Sequence, residues 1–203
     1  MGAKSVKANR FNVKKIVFAV ITKDDTTSYE YDPIEEIGKP MQIQLTPTVA
    51  SGQLYGGGEK QEDMSRVTGY ELQLDINKIP IEVRATMLGN IYIDGVLFEK
   101  SSDQPKDIAV GYEIEATGNT RELVWFFKCK ARPFAQTMQQ SGENFNYSTD
   151  TITIGCMPRE FDGNIKGFGD TANPGFTSVM ADEFLTKIPG GTLRTEQPPQ
   201  TGE

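Results

Sequence analysis

Period-two alternation of apolar and polar residues, broken by turn signals, runs through most of this 203-residue chain and restricts it to a fold built from strands. Successive side chains of a strand point to opposite faces, so each such stretch presents one apolar and one polar surface. Met41, Ile43, Leu45 and Val49 alternate with Gln42, Gln44, Thr46 and Thr48. Thr68, Tyr70, Leu72, Leu74 and Ile76 alternate with Gly69, Glu71, Gln73 and Asp75. Ile108, Val110, Tyr112, Ile114 and Ala116 alternate with Gly111, Glu113 and Glu115, and Ile152, Ile154 and Cys156 with Thr151, Thr153 and Met157. In Leu123–Cys129 the second set, Val124 and Phe126 beside Glu122 and Lys128, is partly apolar too, which marks a central strand covered on both faces. Residues 15–22, KIVFAVIT, are β-branched and apolar throughout and read as a buried strand.

The punctuation between these runs is equally specific. Asp94-Gly95 between Ile91-Tyr92-Ile93 and Val96-Leu97-Phe98 predicts a tight hairpin, and Gly118-Asn119 predicts a turn. Pro80 at a first helical position and Gly89 at the C-terminal cap predict a helix over Pro80–Leu88, with Ile81, Ala85 and Leu88 on its apolar face. Phe176, Met180, Phe184 and Ile188 recur every four residues and predict a last helix, stopped by Pro189-Gly190. Pro47 ends or bulges the pairing around it. Residues 23–39 read as a loop with room for a short strand, 132–148 and 158–175 as connections, and 50–66, ASGQLYGGGEKQEDMSR, as a flexible loop or hairpin tip. The expected fold is mainly β: a sandwich or partial barrel of about seven or eight antiparallel strands with one or two short flanking helices. It forms a single domain over residues 15–188, between an N-terminal arm (1–14) and a flexible tail (189–203) of disorder-like composition.

Composition removes most catalytic classes. There is no histidine, which excludes Ser-His-Asp and Cys-His catalysis and removes the commonest transition-metal ligand. The Gly56-Gly57-Gly58 run is followed by no Gly-Lys-Ser/Thr and is not a phosphate-binding loop. Asp24, Asp25, Asp75 and Asp94 match no metal motif and read as solvated acids. Trp125, Phe126 and Phe127 could stack a sugar or a base, but aromatics inside an alternating strand read as core. The sequence therefore predicts a non-enzymatic protein with no cofactor. Cys129 and Cys156 are expected as free thiols in a reducing cytosol, since the first fifteen residues are basic and lack a secretory apolar segment. No apolar run reaches the ~20 residues a membrane span needs.

The charge is asymmetric. All 28 acids follow residue 15, whereas Lys4, Lys7, Arg10, Lys14 and Lys15 precede Ile16. This basic arm is either a frayed, solvated terminus or a contact for an acidic neighbour. The net charge of -7 argues against tight binding of nucleic acid or anionic membranes. The polar faces carrying Gln42, Gln44, Thr46, Glu71, Gln73, Asp75, Glu113 and Glu115 hold no base, which fits an ordinary solvent face or a wall that must not retain a polyanion.

Four stretches, in order, carry a resemblance. They are FNVKKIVFAVIT (11–22), QLYGGGEKQEDMSRVTGYELQLDINKIPIEVRATMLG (53–89), DGVLFEKSSDQPKDIAVGYEIEATGNTRELVWFFKCKARP (94–133) and REFDG (159–163). Together they resemble the major tail protein family of non-contractile, long-tailed bacteriophages, particularly those of Gram-positive hosts. The chain departs from that pattern at the triple glycine, where relatives often carry acids, and in its tail after Ile188.

The resemblance implies two packed β-sheets, a virion location, and hexameric rings that stack into a tube whose lumen DNA traverses without specific binding. It implies a lumen lined by Gln42, Gln44, Thr46, Glu71, Gln73 and Asp75. It implies an inter-ring loop that includes Glu59, anchored by Leu54 and Tyr55 and hinged at Gly56, Gly57 and Gly58, and an inter-subunit role for Lys4, Lys7, Arg10, Lys14 and Lys15. Its implied partners are further copies of the chain, a tape measure protein inside the tube, and tail terminator and distal tail proteins at its ends. The alternative from composition alone is a β-sandwich ligand-binding module, such as a carbohydrate-binding domain of a surface protein.

Overall fold

The computed structural model describes residues 7–56, 59–136, 138 and 149–194, with the backbone alone for 54–56 and 59–62. The strands, in chain order, are β1 (Arg10–Asp24), β2 (Tyr29–Tyr31), β3 (Glu35–Glu36), β4 (Pro40–Gly56), β5 (Glu59–Ile76), β6 (Ile91–Ile93) and β7 (Val96–Phe98). After them come β8 (Asp107–Ala116), β9 (Thr120–Ala131), β10 (Ala135–Gln136), β11 (Asp150–Met157), β12 (Lys166–Asp170) and β13 (Thr192–Leu193). The helices are α1 (Ile81–Leu88) and α2 (Ser178–Phe184). The fold is mainly β, as the alternation requires. One large sheet runs in the order β13-β2-β1-β8-β9-β11-β5-β4, with β3, β10 and β12 pairing off this path, and β6-β7 form a separate hairpin. The sheet is mixed, because β13 joins β2 in parallel.

β9 sits at the centre and pairs with β8 on one edge and with β11 and β12 on the other. Its two faces feed two cores. Val124, Phe126, Cys129 and Ala131 join Ile16, Phe18, Leu72, Leu74, Ile76, Ile152 and Ile154, and α1 plugs this core with Val83, Met87 and Leu88. Leu123, Trp125 and Phe127 join Val17, Tyr29, Tyr31 and Ala109 under α2. The double coverage is as the sequence predicts, but the parity breaks. Ile108 pairs with Cys129 and Val110 with Phe126, so two steps along β8 face three along β9. This β-bulge returns Cys129 to the face of Phe126 rather than that of Phe127.

Local chemistry accounts for the short elements. Asp94 and Gly95 have φ of 51° and 82°, the left-handed pair a two-residue hairpin requires. Gly89 ends α1 with φ 71° and donates its N–H to Ala85 O. Pro80 stands one position before the helix rather than in its first turn, and Ile81 is exposed while Val83, Ala85, Met87 and Leu88 are buried. The buried face is therefore that of Val83 and Met87, with Ile81 turned to solvent. α2 is shorter than expected: Thr177 caps it by accepting from Met180 N, Met180 is exposed, and Ile188 reaches the core from the following turn.

Several expectations are corrected. β1 begins at Arg10 rather than at residue 15, so most of the presumed arm beyond Asn9 is strand, paired with β8 through two register shifts. Residues 50–66 are chiefly ladder rather than loop: β4 and β5 remain paired from Ala50↔Arg66 to Gly56↔Glu59. Backbone hydrogen bonds sustain this stretch where few apolar side chains announce it. β12 lies within the presumed connection 158–175 and β13 within the presumed tail. Both are too short to alternate, and they exist because β9 and β2 offer unpaired edges.

At Gly111 a Cβ would meet the Trp125 ring and Leu185 Cδ2, all at 2.9 Å. Trp125 cannot yield, being fully buried with its Nε1 donating to Phe184 O at 2.7 Å. Gly111→Val is therefore expected to destabilise the fold by about 1–3 kcal/mol through overpacking, read as a lowered urea midpoint with an unchanged slope.

Candidate functional site

The predicted polar residues of β4 and β5 form one surface. Gln42 pairs with Asp75, Gln44 with Gln73 and Thr46 with Glu71, so all six share a face opposite Leu72, Leu74 and Ile76. β11 extends it, with Thr151, Thr153 and Gly155 opposite Asp75, Gln73 and Glu71. Thr151 Oγ1 donates to Asp75 Oδ1 at 2.7 Å. Among the described residues, bases reach it from β9 and the residue that follows it. Arg132 pairs with Glu71 at 2.9 Å, both groups substantially exposed, and Lys130 lies 3.5 Å from Asp107. Glu71 is therefore partly neutralised, while no base pairs with Asp75 among the described residues.

Glu113 and Glu115, grouped with these by sequence, lie elsewhere and are not base-free. Glu113 is buried between Lys14 at 3.8 Å and Arg121 at 3.6 Å, and Arg121 also reaches Asp182 of α2. Lys14 approaches Glu115 at 3.2 Å, and Asn12 donates to the same carboxylate, which lowers its pKa.

β4 is the last strand of the sheet and is 17 residues long. Its outer edge has no strand partner among the described residues. Beyond Thr48 the β4–β5 hairpin is exposed, with Val49, Met64 and Val67 in solvent. In the presumed loop, Leu54, Tyr55 and Gly56 belong to β4 and Glu59 opens β5. Gly57 and Gly58 lie outside the described residues, as does Lys4 of the basic arm. Lys7 is exposed ahead of β1. Arg10, Lys14 and Lys15 are strand residues paired within the chain, Arg10 with Glu122 at 2.7 Å and Lys15 with Glu36 at 2.9 Å. They are spoken for before any neighbour arrives.

Trp125, Phe126 and Phe127 are buried, which removes them as a stacking platform. Cys129 and Cys156 are free and face each other directly across β9 and β11. Burial, then the adjacent Cys156, pushes the Cys129 thiol well above its ordinary value, so neither packing nor electrostatics activates it. Among the described residues no helix is long and apolar enough to cross a membrane.

Two polar anchors escaped the sequence reading. Asp24, expected in solvent, has a 5 % exposed side chain that binds Lys128 at 2.8 Å and accepts from the N–H groups of Glu160 and Phe161. Arg159 is 3 % exposed, forks onto Asp162 at 2.7 and 2.5 Å, donates to Pro189 O, and stacks over Phe127 at 4.0 Å and Tyr29 at 4.8 Å. The Arg159 and Asp162 of the REFDG stretch were visible; their partner rings, distant in sequence, were not.

No protein-family model matches the chain, and no curated protein matches it. Among solved structures, it is similar to a chain of the six-fold symmetrised cryo-EM structure of the anti-feeding prophage baseplate. The TM-score is 0.43 at 11 % identity, over 83 % of this chain and 97 % of that one. A likeness of that extent carries no functional inference.

Asp24 and Asp162 both titrate below their ordinary 3.8. Burial opposes ionisation of Asp24, but hydrogen bonds from Lys128, Glu160 and Phe161 outweigh it; the Arg159 fork, also against burial, holds down Asp162. A carboxyl depressed in the folded state stabilises it above the unfolded pKa, and that stability is lost as pH falls through the folded value. Stability is thus expected to decline below pH 3.8, and Asp162→Asn to lower the melting temperature at pH 7 while flattening its dependence on pH below 3.8, followed by circular dichroism.

Proposed function

We propose that the chain is a structural subunit of a phage tail tube, forming stacked hexameric rings around a channel through which DNA is ejected. The observation that carries this reading is the 17-residue edge strand β4, whose amides and hydroxyls continue the acid-bearing face of β5 and whose outer ladder has no strand partner among the described residues. In a lone soluble protein such an edge invites uncontrolled pairing; Pro47 and the register shift at Thr48/Val49 interrupt it, but β4 has no lysine, and among the described residues no further strand pairs with it. A ring supplies a neighbour to that edge. The ordered resemblance to tail tube proteins supports the same reading.

On this reading Gln42, Gln44, Thr46, Gln73 and Asp75 face the lumen with Glu71. Asp75 supplies net negative charge, and Arg132 moderates Glu71. Amides and hydroxyls wet the wall without giving phosphates a cation to bind. The exposed end of the β4–β5 hairpin reaches the adjacent ring. A tape measure protein fills the tube before ejection, and terminator and distal tail proteins cap its ends. With Trp125, Phe126 and Phe127 buried, the carbohydrate-binding alternative retains no aromatic platform among those residues.

Negative-stain microscopy and light scattering over a concentration series are expected to show rings or tubes with an open channel; a strictly monomeric or dimeric protein would end this reading. Val49 and Val67 are register partners, so residues 50–66 can be replaced by an Asn-Gly turn without disturbing the sheet. The shortened chain is expected to fold and form no tubes, and normal tubes would remove the hairpin from the inter-ring contact.

A charge reversal tests the wall. Glu71→Lys with Asp75→Lys is expected to cost roughly 0.5 kcal/mol per site in stability, since both positions are partly exposed. Tubes of the double variant should retain DNA in a salt-dependent manner, and phage carrying it should eject slowly. Unchanged ejection from correctly assembled tails would place these side chains off the lumen.

A further inference from the structure

Among the described residues, the β6–β7 hairpin presents an apolar face that is about half exposed. Ile91 pairs with Phe98 and Ile93 with Val96, so the four share one face, and each is between 39 and 55 % exposed. The opposite face is anchored: Tyr92 OH donates to Glu82 of α1 at 2.9 Å. Two three-residue strands are marginal in water, and four contiguous apolar side chains facing solvent mark a contact surface.

A cleft of about 550 Å³, lined by apolar and charged side chains, opens where the N-terminal part of β1 approaches β4. Phe11, Met41 and Phe168 stand exposed around it, and Ile43 and Leu45 lie partly buried within it. The charges are complementary. Asp94 tips the hairpin and Glu99 follows it, while Lys166 lines the cleft; Arg10 also lines it but is neutralised there by Glu122. Neither Asp94 nor Lys166 has an ion pair among the described residues; Lys166 Nζ rests 4.5 Å over the Tyr70 ring.

The two surfaces lie at opposite ends of the β1–β8 pair. α1, which carries the hairpin, is tied to the start of β8 by Lys106 N donating to Met87 O. The cleft lies at Arg10–Val13, beside Ile114 near the end of β8. A single copy therefore has its apolar hairpin at one end and the complementary cleft at the other, the arrangement of a heterologous, head-to-tail contact.

We propose that the β6–β7 hairpin of one copy docks by Ile91, Ile93, Val96 and Phe98 into the β1–β4 cleft of a second copy, with Asp94 placed against Lys166. The contact rests on the ring-subunit reading for the assembly it builds, and names the surfaces that would join the copies.

The test uses the full chain at concentrations where light scattering shows association. A benzophenone side chain placed at Val96, in a mixture of ¹⁴N- and ¹⁵N-labelled copies, is expected to cross-link between copies to peptides containing Phe11, Met41 or Phe168. Cross-links to another surface of the chain, or none, overturn the contact. Asp94→Lys and Lys166→Asp are each expected to weaken association, and the double variant to recover it; no recovery overturns the pairing. Ile93→Asp with Val96→Asp should raise the concentration needed for association by on the order of tenfold or more, with the melting temperature unchanged because both positions are exposed. Rings whose cross-links map elsewhere would sink the contact and spare the tube reading. Hairpin-to-cleft cross-links in oligomers that are not rings would do the reverse, and a chain that never associates overturns both.

Discussion

Burial of β9 on both faces is the constraint from which the layers follow. A strand covered twice must supply apolar side chains of both parities, and residues 123–127, Leu-Val-Trp-Phe-Phe, do so. Each parity then requires its own cover. The face of Phe126 is closed by the curl of the sheet through β5 and by α1; the face of Trp125 is closed by α2 and the tyrosines of β2. The bulge opposite Ile108–Val110 changes the parity once, and it places Lys128 where Asp24 and Glu160 receive it. Without that extra residue Lys128 would take Cys129's place in the core, where an ammonium is costly. The bulge is thus how one strand serves two cores and still delivers a cation to the surface.

Much of this arrangement was legible because it depends on neighbours in sequence. Alternation gave the cores of β4, β5, β8 and β11, and Asp94-Gly95 and Gly89 marked a turn and a cap whose chemistry is local. What was not legible depends on partners far along the chain. β12 and β13 are too short to have a period and are recruited by existing edges. Asp24 and Asp25 read alike in sequence, yet Asp25 caps its own turn while Asp24 binds Lys128 more than a hundred residues away. The sequence of residues 50–66 fits a loop or a hairpin tip equally because their side chains bury little; the length of the β4–β5 ladder there comes from backbone pairing, which leaves no mark on composition.

The candidate surface divides in the same way. That Gln42, Gln44 and Thr46 share a face, and Glu71, Gln73 and Asp75 another, follows from parity. That the two sets meet, residue opposite residue, follows from the β4–β5 register, which alternation does not set by itself. Absence of bases from the polar positions of residues 42–46 and 71–75 was readable; the arrival of Arg132 at Glu71 from beyond β9 was not. The basic arm shows the same limit. Arg10, Lys14 and Lys15 look free in a stretch without acids, but pairing β1 with β8 and β3 sets each beside a carboxylate.

These intramolecular pairs bear on how copies would join. An exposed ion pair contributes only ~0.2–1 kcal/mol, so Arg10, Lys14 and Lys15 add little to the fold and, being occupied, little to a neighbour. The surfaces left unsatisfied are of another kind: a long edge of backbone hydrogen-bonding groups on β4, an apolar hairpin face on β6–β7, and a cleft of mixed apolar and charged lining beside β1. Edge pairing would set register between copies through directional bonds, while apolar docking would supply affinity that salt does not screen. Association governed by these two would therefore survive high salt, in contrast to the electrostatic arm that the sequence suggests.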